Sequence, residues 1–221
     1  MPVYKTPYTR SSLLDETEEQ FFVVPKDASG NLSADPTLLW EARWPNISAY
    51  NLNTLKDKMA FMQSASNQTT YYQVVDSTLP NIDWTGATIW ERGGDGYTGQ
   101  TTTITGFNNA THTLTMSSVI GDQSYYAPRQ GNTYFLSGVL GALDAASEWH
   151  TDATSLYLWA PTGGVPANIE AKSRQTAFNL KGKSFITISG IQTMAANILM
   201  GQDGGNTSTY NVLDNIKAEF L

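Results

Sequence analysis

Cysteine is absent from the 221 residues, which excludes disulfides, thiol nucleophiles and zinc–thiolate centres. Histidine is almost as scarce. His112 and His150 are the only two, far apart and without ligand spacing, so they read as hydrogen-bonded structural residues rather than a metal pair. Basic residues are few and scattered, 13 Lys and Arg against 20 Asp and Glu for a net charge of −7. Nucleic acid and anionic membrane surfaces, which need clustered cations, are therefore not expected partners. No run approaches the eighteen apolar residues of a membrane span, and "MPVYKTPYTRSSLLDE" has no apolar core of a signal peptide. An exported protein would have its signal removed or outside this sequence.

What is present is a strand-forming chain. Hydrophobic residues make up 40% and aromatics 11%, enough to bury a core in one large or two small domains. Runs at 21–24, 39–44, 70–75, 87–92, 101–107, 113–116 and 133–136 read as strands. The breaks between them, "DASGN", "GGDGYTG", "NNATH" and "PRQGN", are spaced as in an all-β sandwich or barrel. "GGDGYTG" imitates a phosphate loop but lacks the lysine and the following helix, and reads as a hairpin turn. Only "YNLNTLKDKMAFMQSAS" carries helical rhythm, with Leu52, Leu55, Met59 and Met62 on one face, and one helix is expected there. Five Asn-x-Ser/Thr sequons, at Asn31, Asn46, Asn67, Asn109 and Asn206, are what an Asn-, Ser- and Thr-rich composition produces by chance.

"SEWHTDATSLYLWAP" (147–161) predicts a hairpin, with Glu148 to His150 outward, a turn held by Asp152, and Leu156 to Trp159 returning. Period-2 geometry gives both faces large side chains, so each face needs a cover, and Trp149 and Trp159 are expected to be largely buried at a junction. Beyond Pro166 the strands become short. "SFITISGIQ" overlays on the segment from Tyr210 at a constant offset of 25 residues, which matches Phe185 with Tyr210, Ile188 with Leu213, Ser189 with Asp214, Gly190 with Asn215 and Ile191 with Ile216. A repeat of that length suits stacked coils and requires the matched strands to lie parallel. The division expected is an all-β module over 1–165 and the start of a parallel β-helix over 166–221. Leu213, Ile216, Ala218 and Phe220 close the sequence on an apolar strand, from which self-association or further coils are expected.

"LLWEARWPN", "LPNIDWTGATIW", "ATHTLTM", "GVLGALDAASEWHTDATSLYLWAP" and "FNLKGKSFITISGIQ", taken in order, resemble bacterial carbohydrate-active proteins with a right-handed parallel β-helix, the pectate-lyase-like glycoside hydrolases and polysaccharide lyases. The resemblance implies an all-β module with one short helix followed by the first coils of the helix. It also implies an extracellular location and a polysaccharide partner. It carries no catalytic residue onto this sequence, because in such proteins the catalytic acids and calcium ligands sit on later coils. A non-catalytic fibre or adhesive subunit on the same fold is the rival reading.

Candidate chemistry is sparse. Glycoside hydrolysis needs two carboxyls roughly 5 to 10 Å apart, and spacing marks none of the twenty acids. Glu41 and Arg43 in "WEARW" share a strand face and could orient a sugar hydroxyl or form a structural pair. Asp203 and Asn206 in "GQDGGN" offer oxygen ligands for Ca²⁺, or an ordinary turn. Trp84, Trp90 and Tyr97 lie near loops, where exposed aromatics could stack on sugar faces or else complete the core. No other cofactor is expected, and no Gly-x-Ser-x-Gly elbow marks a serine hydrolase.

Overall fold

The computed structural model describes residues 3–14, 19–47, 58–67, 71–96, 99–117, 127–161 and 164–220. They divide into two compact units, one made of Met1–Tyr8 and Trp40–Val165, the other of Thr9–Leu39 and Pro166–Leu221. Residues 9–39, placed by the sequence with the first module, thus cluster with the C-terminal segment. The described residues are strand, turn and irregular chain apart from a short 3-10 turn at Leu140–Ala142 and helical Lys58.

The first unit contains two sheets. β1 (Val3–Pro7) pairs with β14 (Ser155–Trp159), β14 with β13 (Glu148–Thr151), and β13 runs parallel to β4 (Trp40–Glu41). The larger sheet runs β5 (Arg43–Trp44), β12 (Thr133–Ser137), β9 (Thr88–Arg92), β10 (Gly99–Asn108), β11 (Thr113–Ser117), β8 (Tyr71–Val75), β7 (Ser64–Asn67), and β6 (Ala60–Phe61) also pairs with β12. Strand β10 is long enough to serve two neighbours. Its first half pairs with β9 and its second with β11, across an irregularity between Ile104 and Gly106.

Alternation decides which residues enter the core. Tyr72 and Val74, Ile89, Ile104, Leu114 and Met116, and Tyr134 and Leu136 are all buried on one face of the large sheet. Tyr157 and Trp159 of β14 pack against that cluster, while Leu156 and Leu158 are buried on the strand's other face. The hairpin therefore does bury both faces. Trp149 is 6% exposed, as expected, whereas Trp159 is only half-buried. The core holds one polar network, in which the Tyr134 hydroxyl donates to Asp76 Oδ2 at 2.7 Å and Asp76 Oδ1 accepts from the Thr78 amide at 2.9 Å. Such a group is tolerated in a core because its acceptors are filled.

The expected helix is corrected over its second half, whereas Lys58 is helical. Ala60–Phe61 and Ser64–Asn67 are strands, and Met62 between them is buried in the core. The start of that helix, 50–57, lies outside the described residues.

In the second unit β2 (Phe21–Val23) lies between β3 (Thr37–Leu38) and β15 (Ile169–Ala171). Three parallel ladders follow: β16 (Thr176–Asn179) with β19 (Asn197–Leu199), β17 (Thr187–Ser189) with β22 (Val212–Asp214), and β18 (Gln192–Met194) with β23 (Lys217–Glu219). The overlay seen in the sequence becomes register, since Ile188 pairs with Leu213 and Ser189 with Asp214. Side chains 25 apart also meet. The Ser184 and Thr209 hydroxyls are 2.9 Å apart, the Ile186 amide donates to Asn211 Oδ1 at 3.0 Å, and the Phe185 and Tyr210 rings stack at 5.0 Å.

The corners repeat as well. Phe185 and Tyr210 (φ 63° and 54°), Gly190 and Asn215 (68° and 50°), and Ala195 and Phe220 (both 55°) are left-handed at matched positions. The first pair precedes β17 and β22, and the other two pairs end three-residue strands. Non-glycine residues pay for that conformation, so recurrence at the same register shows that the ladder imposes it. The parallel ladders among the described residues are two-stranded and open, so the closed right-handed parallel β-helix expected from the resemblance is not displayed. A short hairpin, β20 (Gln202–Asp203) with β21 (Asn206–Thr207), lies between β19 and β22.

Candidate functional site

Because Ile89 and Glu91 of β9 point into the core of the first unit, Thr88, Trp90 and Arg92 point away from it. On β12 the same alternation buries Tyr134 and Leu136 and turns Phe135 outward. Register then brings Trp90 opposite Phe135 on one side and opposite Thr101 of β10 on the other. The Trp90 and Phe135 rings are parallel to within 5° at 5.6 Å. Trp90 is 45% exposed, and Phe61, 55% exposed, lies on the same sheet face opposite Thr133. Thr101 and Thr103 add hydroxyls beside this ridge, and Arg92 Nε donates to the Gly96 carbonyl at 2.7 Å, which holds its side chain over the β9–β10 turn.

A rigid apolar ridge flanked by hydroxyls matches the two kinds of surface on a pyranose, whose C–H face packs on rings and whose edge accepts and donates hydrogen bonds. Phe135 and Phe61 were missed in the sequence. Phe135 lies beside Trp90 only through pairing between strands more than forty positions apart, though alternation in "TYFLS" already put it opposite the core-facing Tyr134.

The other expected site residues separate. Trp84 is corrected from a sugar-stacking position to the core: it is fully buried, its ring 6.3 Å from that of Trp44, and its indole N–H donates to the Pro80 carbonyl at 3.2 Å. It has no face to offer a ligand. Tyr97 lies outside the described residues. Glu41 is half-buried and Arg43 is 8% exposed, so Arg43 serves structure. Its guanidinium sits over the Trp40 ring at 4.5 Å and its Nε donates to the Glu41 carbonyl at 2.9 Å. Asp203 and Asn206 face each other across the β20–β21 turn, an exposed hairpin pair. Among the described residues no group of three or more His, Asp or Glu is placed to hold a metal. His112 adopts φ 48°, and His150 lies 6.1 Å from the Tyr157 ring.

Two buried carboxyls stand out that the sequence did not mark. Glu148 is 3% exposed and accepts from the Asp144 and Ala145 amides at 3.2 and 3.1 Å. Burial outweighs those bonds and the nearby Arg43, pushing its pKa up to about 7. Glu91 is also 3% exposed, and neither carboxyl oxygen has a partner. Burial alone pushes it up to about 7. With both Glu91 oxygens unpartnered, the two carboxyls do not bond each other, and no acid–base pair for glycoside cleavage is assigned.

No family model matches the chain, and no curated protein matches it. Among solved structures, one titled "Glycoside hydrolase" superposes with a TM-score of 0.52 over 86% of this chain at 13% identity. The likeness is one of fold. It extends over 36% of that structure, so this chain spans about a third of its length. No helix among the described residues is long and apolar enough to cross a membrane.

Proposed function

We propose that the chain is the N-terminal part of an extracellular carbohydrate-active β-helix protein, and that it binds a polysaccharide along the Trp90–Phe135 ridge. The observation that carries the binding role is the exposed parallel ring pair, flanked by Thr101 and Phe61, on a sheet whose opposite face is the core. Core strands fix the two rings, so little side-chain entropy is lost on binding. The fold shared with a glycoside hydrolase structure supports the ligand class. The 25-residue register and the recurring left-handed corners support reading the ladders as the first coils of a right-handed parallel β-helix. The proposed role is recognition, and bond cleavage is assigned to no residue of this chain.

Gel retardation against a panel of soluble polysaccharides tests the reading. Trp90→Ala should weaken retention by about tenfold, equivalent to roughly 1.4 kcal/mol, while leaving the denaturant midpoint within about 0.5 kcal/mol of the parent, as for other surface changes. Retention by no polysaccharide, or retention indifferent to Trp90, overturns it in favour of a structural or adhesive subunit.

A further inference from the structure

The ridge on the first unit is nearly free of charge. The outward positions of β6, β9, β12 and the first half of β10 carry the three rings and a set of threonines, and among the described residues Arg92 is the only charged one there. It stands at one end. Its side chain lies along the β9–β10 turn, where its Nε donates to the Gly96 carbonyl at 2.7 Å and a Cβ added at Gly96 would come within 3.4 Å of the same atom. Asp95 in that turn pairs with Arg129, so the two add no net charge. The whole chain carries 20 acids and a net charge of −7, yet the described ridge presents no carboxylate and a single cation. Thr101 and Thr103, both exposed, make no side-chain hydrogen bond among the described residues, and Thr101 stands directly opposite Trp90.

We infer that the ridge selects a neutral polysaccharide over a polyanionic one, with sugar rings on Trp90 and Phe135 and sugar hydroxyls on Thr101 and Thr103. The inference rests on the carbohydrate reading of the ridge and narrows it. A polyuronate or sulfated polymer carries charge at ring after ring along its length, and Arg92 answers only the charge that falls at its own end. The others would be set against Trp90 and Phe135 with no cation to meet them, and an anion that loses water without gaining a partner is disfavoured. The acidic chain repels such a polymer as well. A neutral sugar brings neither cost. Its C–H face packs on the rings, and each threonine hydroxyl can donate one bond and accept others from the hydroxyls along the sugar edge. Binding of this kind releases no condensed counterions, so salt has little hold on it.

Calorimetric titration of the full chain with soluble polymers tests this, with a β-glucan and a galactomannan as neutral probes and polygalacturonate and dextran sulfate as polyanions. At least one neutral polymer should bind about tenfold tighter or more than either polyanion, and its affinity should change less than about twofold between roughly 20 and 500 mM salt. Thr101→Val, near-isosteric and well suited to a strand, should weaken neutral binding severalfold with an unchanged denaturant midpoint. A Thr101→Val variant that binds like the parent overturns the hydroxyl assignment. A polyanion held more tightly than both neutral polymers, with affinity that falls steeply as salt rises, overturns the choice of a neutral ligand, and so does equal affinity for neutral and charged polymers. In either case a Trp90→Ala variant that still loses affinity leaves the ridge as the glycan site, and one that binds like the parent removes that reading too. Binding of none of the four polymers overturns both.

Discussion

Glu91→Gln is expected to remove about 3 kcal/mol from the stability difference between pH 4.5 and pH 8. In the folded chain Glu91 has a pKa near 7 against an ordinary value of 4.5, because its carboxyl is buried between Tyr134 of β12 and Gln100 of β10 without a partner. Between those two values the folded state holds a proton that the unfolded state has released. Stability therefore falls as pH rises through this window, and is fully present only below about 4.5. At 1.36 kcal/mol per pKa unit the loss is about 3 kcal/mol by pH 8.

Glu148 acts in the same direction, since burial also carries its pKa to about 7, though the Asp144 and Ala145 amides and Arg43 oppose the rise. Surface acids act the other way. Asp27, Asp83 and Asp152 have lowered pKa values, mainly from backbone amides that they accept in turns, so their contribution disappears as pH falls through the acidic range. The stability maximum is thus expected on the acid side of neutrality. Denaturant titrations at pH 4.5, 6 and 8 check it: a parent whose stability is flat from 4.5 to 8, or a Glu91→Gln variant with the parent's slope, contradicts the burial of an ionisable Glu91.

Strand positions were legible because period-2 burial and the turn residues agree locally. The expected run at 113–116 is Thr113–Ser117 in the fold, and that at 133–136 is Thr133–Ser137. The 25-residue offset was legible because ladder partners share side-chain type, as Ser184 with Thr209 and Phe185 with Tyr210 show. The second half of the expected helix was misread for an identifiable reason. In "KMAFMQS" the Met59–Met62 spacing fits a helical face, but Ala60 and Met62 are the buried pair and Phe61 between them is 55% exposed, which is strand alternation. Long-range pairing left no local mark. β2 meets β15 by joining Phe22 to Glu170, and nothing within the first forty residues announces that partner. The same limit hid the ridge, because Trp90 finds Phe135 only after the chain has folded.

Trp84→Ala should cost about 3 to 5 kcal/mol, the range for deleting a fully buried large side chain. The sequence placed Trp84 near a loop, and it does follow one. The turn at Pro80 curls back so that the indole N–H reaches the Pro80 carbonyl, four residues earlier, at 3.2 Å. That bond satisfies the ring's only polar atom and lets the rest be enclosed by Trp44 and the large sheet's inner face. Truncation leaves a cavity the width of an indole, while the Pro80 carbonyl keeps the Ile82 amide at 2.9 Å as its partner, against a total stability that for single domains is commonly 5 to 15 kcal/mol. Trp90→Ala, six positions along the chain, removes a ring of the same size from the outer face and leaves no cavity. The two variants should therefore divide cleanly in guanidinium titration and gel retardation. Trp84→Ala lowers the midpoint while the folded fraction still binds glycan, and Trp90→Ala keeps the midpoint while losing the glycan. A Trp84→Ala loss under about 1 kcal/mol would mean that the indole is not enclosed, and the registers that build the ridge on the opposite face of the same sheet would fall with it.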